Sequence, residues 1–359
     1  MVLTAAPTAL WVVPVAELGG VARHVLDVAA VGVPGYRVVV VCPTGPLADR
    51  LRALGTAVTT APVGPEHGVR ESVAAVRHAV RALGPAVVHS HLSWADVVAA
   101  AATVGTGAAL VTTEHGIADD DLVYHGAAWR SRAKALLHAA RLRRADAVIA
   151  VSHATERSIR RKWHPAAGLP VAVVPNGVDR PDEPTPRSPG LHVCSIARLA
   201  PEKRLDALLD AVSVLRGSHP DVRLTVAGTG PEEDALRRRA GTLGLDDVTT
   251  FVGHVEPAPL LATADVLVQL SVWENCSYSL LDALVHGVGV VATAVGGNPE
   301  VLPSAALAPH DDPGAVAQAV ARQGLDPALR PTLPETWPTR VDTAARIAQV
   351  YAGVLGERG

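Results

Sequence analysis

Short β-branched runs, mostly valine, alternate with longer Ala/Leu/Arg segments along almost all of this 359-residue chain, and the alternation stops once and restarts. Nothing else in the sequence restricts the fold as strongly. Continuous apolar strands separated by helices point to a parallel sheet covered on both faces, because each crossover between parallel strands carries a helix. Strands are expected over residues 9–14, 37–42, 86–90, 109–114, 147–151 and 171–174, with helical spacing of apolar positions over 72–83 and 129–144. Residues 180–190 then hold four prolines and little that is apolar, and read as an extended linker. The pattern resumes with strands over 191–197, 223–227, 248–252, 264–270 and 288–293, and helices over 204–216, 232–243 and 279–285. Two successive βαβ series give an α/β protein with two doubly wound, Rossmann-like parallel-sheet domains, over 1–179 and 191–336. The tail, 337–359, holds a helix over 339–355 with no following strand, which is expected to cross back to the first domain. Ligands of such sheets lie beyond the carboxyl ends of the strands, so facing domains are expected to share a cleft.

Composition narrows the class of ligand. Hydrophobic residues make up 48% and charged residues 19%, which is a packed core and not a disordered chain. With one Phe and four Tyr, stacking platforms for single-stranded nucleic acid are scarce. A net charge of −3 steers nothing towards polyanions as a whole. The three cysteines, Cys42, Cys194 and Cys276, are far apart, as suits a reducing cytoplasm. Residues 1–15 lack a basic leader region, and no apolar run reaches about 18 residues. The expectation is a cytoplasmic protein without a spanning segment, with peripheral contact at the inner membrane face left open.

Four constellations fall at expected strand ends. Gly19-Gly20, after the first strand, exposes amide donors at a helix N-terminus; an ordinary βα loop explains it equally well. Arg198 and Lys203 follow the first strand of the second domain, where two cations can hold a diphosphate and neutralise a departing phosphate without metal. Lys203 alone is explained by a solvated helix start, whereas Arg198 directly after an apolar strand is not. Gly228-Thr229-Gly230 runs into a self-capping helix with Pro231 and two acids, and its glycines also allow close approach of a ligand. The fourth runs from Glu274 to Asp282 and on to Gly296-Gly297-Asn298-Pro299-Glu300. A helix starting near Ser277 points the amides of Tyr278 and Ser279 at an anion, and Asp282 one turn later can accept hydrogen bonds from vicinal hydroxyls. The helix dipole explains Asp282 in part and Glu274 poorly. In the first domain, His115 follows an apolar strand and precedes Gly116, while His89 and His91 end the preceding strand. A His-x-His pair can ligate metal, but with no third ligand spaced nearby the two read as polar strand-end residues, and no metal site is assigned. Asp119-Asp120-Asp121 reads as a solvated loop.

Taken in order, Gly19-Gly20, His115-Gly116, Val174-Pro175-Asn176-Gly177-Val178-Asp179, Arg198 with Lys203, Gly228-Thr229-Gly230, Glu274 to Asp282 and Gly296 to Glu300 resemble the family-4 retaining glycosyltransferases of the GT-B fold. The resemblance covers nearly the whole chain and rests on the ordered set. It implies a hexosyltransferase taking its sugar from a nucleotide diphosphate, UDP-sugar first and GDP-sugar second, and passing it to a small-molecule, natural-product or glycan acceptor without metal or other cofactor. Arg198, Lys203, Tyr278, Ser279 and Gly20 would bind the donor diphosphate, Asp282 the ribose, and backbone near His254 and Val255 the base. His115 and Glu274 would act at the donor sugar, with Gly19, Gly228 and Ser277 beside them. The anomeric configuration would be kept by front-face attack, without a protein nucleophile. Three positions depart from the family pattern: Asp282 where Glu is usual, Glu274-Asn275-Cys276-Ser277 in place of Glu-Gly-Phe-Gly, and Gly289 where Pro is common. The acceptor is expected at first-domain loops 44–46, 61–67 and 117–125. The rival readings are a nucleotide-sugar epimerase of the same fold, a phosphorylase, for which no lysine has the context of a cofactor Schiff base, and a non-catalytic homologue that binds sugar nucleotides.

Overall fold

The computed structural model describes residues 6–117, 137–181 and 187–357, and the chain divides into two compact units, 1–177 with 338–359, and 178–337. The aspartate run at 119–121, most of the loop 117–125, the first half of the helix expected over 129–144 and the middle of the Pro-rich stretch lie outside the described residues. Residues 137–142 are helical. No helix among the described residues is long and apolar enough to cross a membrane.

The first unit holds a seven-stranded parallel sheet: β1 Thr8–Val12, β2 Arg37–Cys42, β3 Ala57–Thr60, β4 Val87–His91, β5 Ala109–Glu114, β6 Ala147–Ala150 and β7 Val171–Val173, in the order β3-β2-β1-β4-β5-β6-β7. The second holds five: β8 His192–Ile196, β9 Arg223–Ala227, β10 Thr249–Gly253, β11 Val266–Gln269 and β12 Gly289–Ala292, in the order β10-β9-β8-β11-β12. All eleven expected strands are present. The edge strand β3 was not expected, because Ala57–Thr60 is short and alternates half-buried with exposed residues, so it carries no apolar run. Each sheet reverses direction between its first and fourth strands in chain order, β1/β4 and β8/β11, and the crevice at such a switch point is where α/β sheets take ligands.

Side-chain alternation along β1 feeds a separate core on each face of the sheet. Ala9 and Trp11 of β1, with Val13 just after it, face one side, where helices Gly20–Val31 and Arg340–Gly356 cover them. Leu10 and Val12 face the other, under helices Gly68–Leu83 and Ser93–Ala102. The C-terminal helix Arg340–Gly356 therefore belongs to the first unit, as expected, and buries Ala344, Ile347, Tyr351 and Val354 there. Its start carries a reciprocal capping box between Thr339 and Asp342. The backbone at Gly177 also fits against it: a Cβ at Gly177 would lie 2.2 Å from the Thr339 carbonyl oxygen.

The described end of the Pro-rich stretch is held by the second unit. Arg187 donates hydrogen bonds to the carbonyl oxygens of Leu261, Ala262, Ala264 and His286. Gly190 donates to the Gly324 carbonyl, and Asp265 fills the place its side chain would take.

Candidate functional site

In the second unit, the ends of β8 and β11 carry four charged residues in two ion pairs. After β8 the chain makes a short turn over Pro201–Lys203; Arg198 pairs with Glu202, and Lys203 reaches across to Glu274 beyond β11. The Lys203 and Glu274 side chains are only 17% and 11% exposed, so the pair is largely withdrawn from water, whereas Arg198 is 63% exposed. Glu202 is almost fully buried. Burial pushes its carboxyl up, but backbone and Arg198 hydrogen bonds and the charges of Arg198 and Lys203 outweigh that, and the net shift is downwards. Ser271 also donates to Glu274 at 2.8 Å, the Val272 amide donates to the Glu202 carbonyl, and Lys203 Nζ sits 5.8 Å from the Trp273 ring centre. The two strand-end loops thus form one connected surface.

Glycines set the position of both loops. A Cβ at Gly228 would lie 1.8 Å from the Ala197 carbonyl oxygen, and one at Gly230 would lie 2.3 Å from that of Leu199. The Gly-x-Gly after β9 is therefore required by the backbone that presents Arg198, and the Gly228 amide ties it to Gly253 at the end of β10. His254 and Val255, where a base is expected, come directly after. On the other side Gly296, at φ +52°, lies against Glu274 so closely that a Cβ would fall 1.6 Å from its carbonyl oxygen.

Helix Tyr278–Val285 begins one residue after Ser277, as expected, with no side chain capping its first turn. The Ser279 hydroxyl is committed to the Ile196 carbonyl at the end of β8, and Tyr278 is packed in the core. Ser277 accepts from Gln269, and Asp282 is buried on the same helix. Gly289, where Pro is common in the family the sequence resembles, donates its amide to the Asp265 carbonyl and faces Gln323, whose side chain bonds both backbone groups of Val290. A proline would lose that donor.

In the first unit the strand ends carry imidazoles. Gly19 and Gly20 are exposed and lack positive φ, and a Cβ placed on either would meet nothing within 4 Å, so neither turn geometry nor packing requires glycine there. Helix Gly20–Val31 starts without a side-chain cap and turns His24 inward. His24, His89 of β4 and His91 of β4 are buried around Trp11. Trp11 Nε1 donates to the Tyr351 hydroxyl, which meets His89 Nδ1 at 2.6 Å, and His89 Nε2 meets Thr113 Oγ1 at 2.7 Å. Both nitrogens of His89 are thereby occupied. His91 Nδ1 instead faces His115 Nε2 at 2.9 Å, and His24 Nδ1 donates to Asn176 Oδ1 at 3.1 Å. Burial lowers His24 to about 4 against the Asn176 hydrogen bond, and burial with mutual charge lowers His89, His91 and His115 well below the usual histidine value. All four rings are neutral at neutral pH.

Behind His115, β5 is held by a buried charge cluster that sequence reasoning missed. Arg141 pairs with Glu114 and, at 2.6 Å, with Asp96, which also accepts from Ser90 and Thr112. Burial pushes Glu114 up to about 7 despite Arg141. A charged residue inside a predicted helix carries no sign of its partners; only the fold brings Arg141 to Glu114 at the end of β5 and to Asp96 in helix Ser93–Ala102.

The family model of Glycosyltransferase Family 4 matches residues 18–180, and that of Glycosyl transferases group 1 matches residues 190–323. Glycogen synthase of Mycobacterium tuberculosis is 28% identical over 97% of this chain and 94% of its own length. Among solved structures, Anabaena Alr3699/HepE in complex with UDP and glucose superposes with a TM-score of 0.76 at 21% identity, over 98% of each chain. Sucrose-phosphate synthase from Thermosynechococcus elongatus gives 0.72 at 19% identity, over 98% of this chain and 97% of that one.

Proposed function

This chain belongs to glycosyltransferase family 4 and is a glycosyltransferase of the GT-B fold, and from that premise we propose that it transfers a hexosyl group from a UDP-sugar with retention of configuration. The observation that carries the reading is the Lys203–Glu274 pair, which joins the ends of β8 and β11 at the switch point of the second unit. Arg198 and Lys203 meet the donor diphosphate, together with the first-turn amides of Tyr278 and Ser279. Lys203 then exchanges a carboxylate for a phosphate, which frees Glu274 for hydroxyls of the sugar. Asp282 takes the ribose, and the backbone at His254 and Val255 takes the base. Two cations on the diphosphate make a metal there unnecessary. His115 serves the donor sugar, and Gly19 and Gly20 serve the donor diphosphate and the acceptor because the space beside them is open. In the transfer itself the acceptor oxygen bonds to the anomeric carbon as the carbon–phosphate oxygen bond breaks, and the acceptor proton passes to the departing phosphate. UDP is favoured over GDP because the Anabaena protein of the same fold was solved with UDP and glucose.

Thermal shift with UDP and GDP tests the donor site. UDP should raise the melting temperature of the purified chain, and Arg198→Ala should abolish the rise. A chain that responds to no nucleoside diphosphate would falsify the assignment. Glu274→Ala should remove transfer while the UDP shift persists.

A further inference from the structure

We propose that His24, His91 and His115 form a binding site for one divalent transition-metal cation of the zinc class. Each of the three offers one ring nitrogen, and these three atoms lie within 4.8 Å of one another. The His91 Nδ1 to His115 Nε2 separation of 2.9 Å is near the roughly 3.3 Å edge that two nitrogens span when each is bound at 2.0–2.1 Å to one tetrahedral ion. Asn176 Oδ1 holds the Nδ1 proton of His24, which fixes the tautomer and leaves Nε2 as the lone-pair nitrogen. Among the described residues that Nε2 is buried with no hydrogen-bond partner. An orphaned ring nitrogen in a buried cluster is costly unless something occupies it. Burial keeps the imidazoles neutral, which is the form that ligates.

The donor set selects the ion. Among the described residues the group is three neutral imidazoles with no carboxylate or thiolate, a set that suits zinc and its neighbours over calcium and magnesium. Trp11, 1% exposed, closes one side by lying 4.7 Å from the His91 ring, while His115 and the exposed Gly116 border solvent. The fourth corner therefore falls on the solvent side, open to water or an oxygen donor, as in three-ligand zinc sites. His89 stays outside because Tyr351 and Thr113 hold both its nitrogens. The paired His89 and His91 of the sequence thus separate into two roles, and the third ligand comes from the helix that begins at Gly20. His115 would use Nε2 for the ion and retain Nδ1 for the donor sugar.

The full chain, stripped with a chelator and free of nucleotide, is titrated with Zn²⁺ by calorimetry and with Co²⁺ by visible absorption. One ion per chain and d–d bands of tetrahedral intensity are expected. His115→Gln, at the partly exposed ligand, should weaken Zn²⁺ binding by at least about 100-fold, since loss of an outer-shell partner alone costs 10- to 100-fold. His24→Gln should do the same where circular dichroism shows it folded, and His153→Gln, at a side chain 66% exposed, should leave stoichiometry and affinity unchanged. The proposal fails if folded wild-type chain takes up no stoichiometric Zn²⁺ or Co²⁺, or if His115→Gln binds as wild type does. Neither result touches the Arg198-dependent nucleotide shift, so the two readings fail separately.

Discussion

The two switch points share one topology and differ in chemistry. At β8/β11 the strand ends carry four charged side chains in two ion pairs, one guanidinium being largely exposed. At β1/β4 they carry neutral imidazoles packed on an indole, held by hydrogen bonds to Tyr351, Thr113 and Asn176. Arg198 pairs at the edge of water, where an ion pair gains little over separate hydrated ions, and Lys203 can exchange the Glu274 carboxylate for another anion without being left unpaired. A buried hydrogen-bonded cluster cannot exchange partners without leaving a polar group unsatisfied. The common fold supplies the location of a site; the polarity of the strand ends decides whether that site exchanges ligands or holds a fixed geometry.

The sharpest way to break this contrast is to remove the cation behind the fixed side. Arg141→Met leaves Asp96 and Glu114 buried without their partner, and should destabilise the first unit by about 3–5 kcal/mol in urea unfolding followed by circular dichroism. A loss under about 1 kcal/mol would mean that the cluster is not what holds β5. On the exchanging side, Gly296→Ala forces a methyl into the Glu274 carbonyl, so transfer should fall on the order of 100-fold while the UDP-induced thermal shift remains. Retained activity would show that the Glu274 loop does not need its present position. Tyr351→Phe deletes the hydroxyl between Trp11 and His89 and should cost about 1–3 kcal/mol, with the UDP shift again intact. Thr339→Ala removes the capping box and should lower stability by about 1 kcal/mol, the smallest of the four effects.

Much of this was legible beforehand. Val39–Val41, Val111 and Val290–Val291 lie in strands buried on both faces, and such strands announce themselves as apolar runs. The restart after the Pro-rich stretch likewise announced a second sheet. The positions of Arg198 and Glu274 at strand ends followed from the same pattern, because a polar residue that ends an apolar run marks where the chain leaves the sheet. Their pairings did not follow. Nothing in the spacing of 198, 202, 203 and 274 says that Arg198 would meet Glu202, or that Lys203 would cross to the next loop. His24 was passed over because one histidine in an amphipathic helix is indistinguishable from a surface residue until the helix is packed.

Local pattern by itself determined that this chain makes two parallel sheets, where each begins, and which loops lie at their carboxyl ends, since hydrophobic periodicity and proline act over a few residues. The tertiary structure alone decided that the Gly-x-Gly after β9 serves the loop of Arg198, that Tyr351 returns from the last helix to join Trp11 to His89, and that His24, His91 and His115 converge. Those contacts join residues as much as 340 positions apart, and only strand order and helix packing bring such residues within reach of one another.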